Sequence, residues 1–195
     1  MAVHETPPGI DPTEPAYVEN PVTGERALFH TPPDDPATDP LELDIWAVPE
    51  MVPLAEHVHP RQDETFTVEG GTLELVRDGE PTTHTAGETV TVPAGTPHTW
   101  RNPETTELHL TVRLEPGLRT EAFLRDLAAL GERGELRADG SPSLLQVAAL
   151  YDAYGYDLLH LASPPLRVQR LVFGALAPVA RTLGYRADPV AAERE

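Results

Sequence analysis

Apolar and polar positions alternate with period two in short runs between residues 41 and 116. The first run is Leu41-Glu42-Leu43-Asp44-Ile45. Thr65-Phe66-Thr67-Val68 and Thr72-Leu73-Glu74-Leu75-Val76 follow, on either side of Gly70-Gly71. Glu88-Thr89-Val90-Thr91-Val92 is stopped by Pro93, and Glu107 to Leu114 alternates along its whole length. Alternation of this kind belongs to strands with one buried face. Asp78-Gly79, between two such runs, marks a tight hairpin. Short strands separated by turn residues predict a mainly β sandwich or barrel. Beyond Gly117 the period changes to that of a helix. A first helix is predicted from a Thr120 cap through Leu130, with Phe123, Leu124, Leu127 and Leu130 on one face and Gly131 as its stop. A second starts at Ser141-Pro142 and runs to about His160. A third follows Pro164-Pro165 and reaches about Leu183, with Gly184 as its stop and Pro178 as a kink or break. Three regions are therefore expected: an extended Pro-rich arm at 1–40, a β-barrel at 41–116 and a helical extension at 117–195. The third helix has an apolar stripe of Val168, Leu171, Val172, Leu176 and Val179. In the second, Leu144, Leu145, Val147, Ala148, Leu150 and Tyr151 lie close together. Both are expected to pack on the barrel or on a second copy, with a lid over the cavity as the alternative.

Two segments in the strand-rich region carry chemistry. His57 and His59 are two apart, so on a strand both point to one face. The loop Pro60-Arg61-Gln62-Asp63 turns the chain, and Glu64 opens the next strand. Pro93-Ala94-Gly95-Thr96-Pro97 forms a turn that restarts a strand at His98. Three imidazole nitrogens and one carboxylate suit one divalent first-row transition metal, Fe, Mn, Ni, Cu or Zn. Phe66, Val68, Leu73, Leu75, Trp100, Leu110 and Val112 share the inward parity and are expected to wall a pocket for a partly apolar or aromatic small molecule. Arg61 and Asp63 are read as exposed charges at the barrel mouth. His4, His30, His84, His109 and His160 are expected to be surface or satisfied core residues, His160 ending the second helix.

Charge narrows the partners. The 195-residue chain has 32 acidic residues against 14 basic ones, all arginine, for a formal net charge of -18. Such a surface repels nucleic acid and anionic membranes, so neither is expected as a partner. The chain has no cysteine, which excludes disulfides, a thiolate nucleophile and Cys-based metal sites. The first residues lack a signal-peptide pattern, and the apolar run from Leu171 to Ala180 is too short to span a bilayer. A cytoplasmic protein is expected.

The spacing of the two segments resembles the cupin superfamily. Its first motif, G-x5-H-x-H-x(3 or 4)-E-x6-G, is met by His57, His59, Glu64 and Gly71, with Met51 in place of the first glycine. Its second, G-x5-P-x-G-x2-H-x3-N, is met throughout by Gly87, Pro93, Gly95, His98 and Asn102. The resemblance implies a jelly roll (double-stranded β-helix) barrel, metal-ligand roles for His57, His59, Glu64 and His98, and a homodimer. Likeness to cupin dioxygenases such as quercetinases implies that Glu64 also serves as a catalytic base. A metal-dependent, dioxygenase-type oxidoreductase is the first functional expectation. A metal-dependent isomerase, lyase or decarboxylase, or a non-catalytic small-molecule binder, stays open because fold does not fix function.

Overall fold

A computed structural model of the chain describes residues 6–30, 32–49, 51 and 55–187. His4 lies outside them. The strands, in chain order, are β1 (Tyr17–Asn20), β2 (Glu25–Phe29), β3 (Leu41–Ala47), β4 (His57–Val58), β5 (Asp63–Gly70), β6 (Thr72–Arg77), β7 (Glu80–Thr85), β8 (Thr89–Val92), β9 (His98–Arg101), β10 (Leu108–Glu115) and β11 (His160–Leu161). The helices are α1 (Thr120–Glu132), α2 (Leu144–Tyr154) and α3 (Leu166–Thr182).

The strands form two antiparallel sheets, β1-β2-β3-β10-β5-β8 and β11-β4-β9-β6-β7. Their inner faces share one core. Leu41, Leu43, Ile45 and Ala47 of β3, Phe66 and Val68 of β5, and alternate leucines and Val112 of β10 meet Leu73 and Leu75 of β6 and Trp100 of β9. Each large apolar side chain removed from water in this way contributes about 1.5–3 kcal/mol. The alternation read from the sequence is the alternation of burial, seen most cleanly in β10, where every second residue is buried. The β6–β7 turn has Asp78 at φ 50° and Gly79 at φ 80°, the two left-handed residues that this kind of hairpin needs.

The region expected as an extended arm contains more order than that. Residues 17–29 fold into the β1–β2 hairpin, and β2 pairs with β3 from Glu25↔Ala47 to Phe29↔Leu43. Ala27 and Phe29 enter the core, so the hairpin extends the larger sheet. β2 is only five residues long, its polar and apolar positions do not alternate, and Pro and Thr lie on both sides of it, which hid the strand among turn residues.

The helix ends also differ from expectation. Thr120 is the first residue of α1 and caps nothing; its buried hydroxyl accepts a hydrogen bond from Gln62 Nε2 at 2.8 Å. Gly131 lies inside α1 and does not stop it. A Cβ there would come 2.5 Å from Asn20 Oδ1 and 3.2 Å from Pro21 Cδ, so glycine lets the helix lie against the hairpin. Helix α2 is capped by Ser143, whose Oγ accepts from the Gln146 N–H at 3.2 Å, and it ends at Tyr154. His160 therefore ends no helix; it belongs to β11, which pairs with β4. Helix α3 runs through Pro178 to Thr182 without a break. No helix among the described residues is long and apolar enough to cross a membrane.

Candidate metal centre

Three separate segments bring the four expected ligands together. His57 lies on β4 and His59 follows it. Glu64 is on β5, and His98 opens β9, where it is paired directly with His57. One ligand atom from each residue lies within 4.8 Å of every other. The imidazole centroids are 4.5 Å apart for His57 and His98, 5.1 Å for His57 and His59, and 5.7 Å for His59 and His98. Glu64 Oε2 lies 2.8 Å from His98 Nε2 and 3.9 Å from His59 Nε2. His59, Glu64 and His98 are buried, and His57 is only partly so. The centre is therefore reached from the His57 side.

The outer nitrogens show which way each ring is held. His57 Nδ1 donates to the Ala55 carbonyl at 2.9 Å, and His98 Nδ1 donates to the Thr96 carbonyl at 2.9 Å. His59 Nδ1 lies 3.0 Å from both the Leu158 carbonyl and Gln62 Oε1. A carbonyl only accepts, so each Nδ1 carries the hydrogen and each Nε2 is left for the interior. Backbone or amide partners on the far nitrogen commonly orient metal-binding histidines in this way.

The electrostatics are those of a tightly coupled group. Burial, then the neighbouring His59 and His98, push His57 down to about 3 and keep it neutral. Burial would raise Glu64, but the His98 hydrogen bond and the three imidazoles outweigh it and hold its carboxyl low. Burial would lower His98, yet its hydrogen bond to Glu64 and that residue's charge raise it. A negative carboxylate facing three imidazole nitrogens fits a divalent cation. Metal–nitrogen bonds of about 2.1 Å require ligand atoms roughly 3 to 4 Å apart, so only a small contraction of this cluster is needed.

Gln62 anchors the centre. Its Nε2 donates to the Pro116 carbonyl at 2.9 Å, the Gly117 carbonyl at 3.0 Å and Thr120 Oγ1 at 2.8 Å, while its Oε1 faces His59. One buried amide thus ties a ligand to the start of α1. The Leu158 carbonyl ties the same ligand to the segment between α2 and α3. Neither was legible in the sequence: Gln62 sits in a polar loop, and a backbone carbonyl has no side-chain signature.

Glu25 is a partly buried carboxyl that the sequence reading did not single out. On β2 it shares a face with Ala27 and Phe29, and it lines a cavity of about 50 Å³ with Thr23, Leu124, Leu127 and Ala128. Burial, and then the charge of Glu64, raise its carboxyl to about 7. Its parity with Ala27 and Phe29 was the available signal, lost with the hairpin.

The expected pocket walls need a correction. Phe66, Val68, Leu73, Leu75, Trp100, Leu110 and Val112 do face inward, but each is at most 3 % exposed. They fill the barrel by packing on one another and do not line an open chamber. Trp100 sits edge-on to Phe66 at 6.2 Å. Asn102 takes a structural place: its Nδ2 donates to the carbonyls of Ala47, Val48 and Thr106 at 3.0, 3.2 and 2.8 Å. Asp63 Oδ1 accepts from the Ala94 N–H at 2.8 Å, joining the two motif loops, while Arg61 is exposed. His30 bridges Glu42 and Asp44, His109 stacks on Trp46 at 4.6 Å, and His84 meets Thr82; none belongs to the cluster.

Comparisons agree with this architecture. Residues 48–114 match the family model described as Cupin domain. Over that third of its length the chain is similar to the cupin domain family, and its two antiparallel sheets are consistent with the jelly roll of that family. Among solved structures, it is similar to a conserved double-stranded β-helix protein from Klebsiella pneumoniae, at 21% identity and TM-score 0.42, covering 55% of this chain and 84% of that one. An RmlC-like cupin from Shewanella frigidimarina gives 21% and 0.45, covering 53% and 86%. A sugar phosphate isomerase of the cupin superfamily from Silicibacter pomeroyi gives 22% and 0.41, covering 48% of this chain and 61% of that one. No curated protein matches the chain.

Proposed function

We propose that the protein is a metal-dependent cupin that holds one divalent transition ion through His57, His59, Glu64 and His98 and acts as a dioxygenase-type oxidoreductase on a small molecule. The observation that supports this reading most is the convergence of four donor atoms within 4.8 Å, with each Nδ1 engaged elsewhere. When bound, the ion supplies Lewis acidity and, for Fe, Mn, Ni or Cu, one-electron chemistry. The chain's own part is to orient and to exclude water. His59 and His98 are held from behind by carbonyls and Gln62. The packed core beneath them leaves the His57 side for a substrate, and Glu64 is kept as a carboxylate by the imidazoles around it. The absence of cysteine from the sequence makes the cytoplasm the compartment we favour.

The same four-donor centre is also compatible with a second reading, a metal-dependent isomerase, lyase or decarboxylase, in which the ion would act as a Lewis acid without oxygen. Metal analysis of purified protein, followed by oxygen uptake with flavonols, diketones and catechols after reloading with each ion, tests the first reading. Turnover under argon at the aerobic rate would replace it with the second, and capture of an unchanged ligand would make the protein a binder. His57→Ala should abolish metal retention; full occupancy in that variant would remove the ligand assignment.

A further inference from the structure

Every large apolar side chain that is exposed among the described residues lies on one helical surface. Val168, Leu171, Val172, Val179 and Leu183 are on α3 or just past its end, Leu144 opens α2, and they are 41 to 75 % exposed. The sequence reading expected this stripe to be covered. The face of α3 that is covered carries Gln169, Phe173, Ala177 and Ala180, packed on Ala148 and Ala149 of α2. The two helices run antiparallel, since Gln146 near the start of α2 donates to the Arg186 carbonyl beyond the end of α3 at 2.9 Å. Leu144 thus lengthens the patch at its Leu183 end. Apolar surface gathered in one place on so acidic a chain marks an interface.

Charge and symmetry say what covers it. Between Leu158 and Ala187 the chain has no Asp or Glu, although it carries 32 acids in 195 residues. Two copies meeting through this acid-free stretch bring few carboxylates together, which lowers the repulsion a chain of net charge -18 would otherwise meet. The stripe is also close to palindromic about Ala175. Leu171 and Val179 lie four residues to either side of it, Val168 and Thr182 lie seven, and Val172 and Pro178 lie three. An interface between identical copies needs a surface complementary to itself. With Gly174 and Ala175 at the midpoint, two helix backbones can come close. At about 100° per residue, Arg167, Arg170 and Arg181 fall about 80–140° round the helix from Ala175, so the like charges are kept off the seam.

We infer that α3 is a dimerisation helix, pairing antiparallel with α3 of a second copy about a two-fold axis at Ala175, with Leu144 and Leu183 at the ends of the seam. The arrangement is independent of the metal centre and of the activity proposed above. The full chain is tested by light scattering behind gel filtration from about 1 to 100 µM. The mass of two chains is expected, and Leu171→Glu and Val179→Glu are each expected to give one. Leu171 and Val179 are solvent-exposed in the single chain, so an unchanged circular dichroism spectrum with a cooperative melting transition establishes that the variants fold, even where loss of the dimer lowers the melting temperature. The chain has no cysteine, so Ala175→Cys adds its one thiol, and mild oxidation should link two copies through it. A monomer throughout the range, a dimer that survives Leu171→Glu, or an Ala175→Cys protein that fails to cross-link while dimeric would each overturn the proposal. Binding of the monomer to anionic lipid vesicles would overturn it as well, and would assign the stripe to a membrane surface.

Discussion

His59 Nδ1 lies 3.0 Å from the carbonyl oxygen of Leu158, ninety-nine residues further along the chain. The helical extension therefore borders the candidate metal centre, because its backbone helps to orient the His59 ring. The same nitrogen faces Gln62, whose amide reaches Pro116, Gly117 and Thr120. Gln62→Met keeps the volume and removes these bonds. Metal affinity should fall about 10–100-fold, as is usual when a ligand loses its orienting partner, and stability should fall by about 1–3 kcal/mol. Competition with a chromophoric chelator checks the first figure. An affinity within twofold of wild type would show that Leu158 alone suffices.

Glu25 should make stability depend on pH. Its folded pKa, about 7, lies above the ordinary 4.5. Below 4.5 both folded and unfolded chains hold the proton. Between 4.5 and 7 the folded chain keeps a proton that the unfolded chain has released, so stability declines as pH rises, and the decline is complete above 7. The shift corresponds to about 3 kcal/mol at most, and the partial accessibility of Glu25 reduces it to about 1–2. Glu25→Gln removes the dependence. The melting temperature of the variant minus that of wild type should increase from pH 5 to pH 8; a constant difference would place the Glu25 carboxyl in ordinary solvent.

How much of this was visible beforehand depended on whether the signal was local. Alternation placed the strands that line the core, because Leu108, Leu110, Val112 and Leu114 each report burial by their own identity. The convergence of His57, His59, Glu64 and His98 was legible because metal-donor side chains are chemically distinct and the motif spacing is fixed. What failed was longer in range. Gly131 looks like a helix stop but accommodates Asn20, a contact with a hairpin more than a hundred residues away. The α3 stripe looked like a core-facing surface, whereas Phe173, Ala177 and Ala180, with Leu176 beside them, are the covered side and Val168, Leu171, Val172 and Val179 are exposed. Periodicity reports that a helix has an apolar side; it does not say which of two apolar sides the same molecule covers.

Asn102 tests whether the second motif's asparagine is structural. It is 2 % exposed, it donates to three carbonyls, and its Oδ1 accepts from the Glu104 N–H at 3.0 Å. Asn102→Ala leaves those carbonyls short of donors in a buried loop, which should cost about 2–3 kcal/mol in denaturant unfolding. Metal content per folded chain should stay at the wild-type level. Loss of metal from a folded Asn102→Ala protein would give the residue a part in the centre itself.

Two glycines separate conformational strain from crowding. Gly71 has φ +84° and Gly79 has φ +80°, both in the left-handed region where a Cβ costs about 1–2 kcal/mol. Around Gly79 nothing would lie within 4 Å of that Cβ. At Gly71 it would meet the Glu107 carbonyl oxygen at 2.8 Å and Leu108 Cα at 3.0 Å. Those are backbone atoms at the start of β10, the strand paired with both β3 and β5, so they cannot swing aside as a side chain would. Gly79→Ala should therefore lose about 1 kcal/mol and Gly71→Ala clearly more, by roughly 2 kcal/mol or above, since overpacking adds its own 1–3. The comparison is read from chemical-denaturation midpoints under one buffer. Equal losses at the two positions would mean that the β5–β6 corner yields freely, and that the glycine of the first motif is kept for its φ alone.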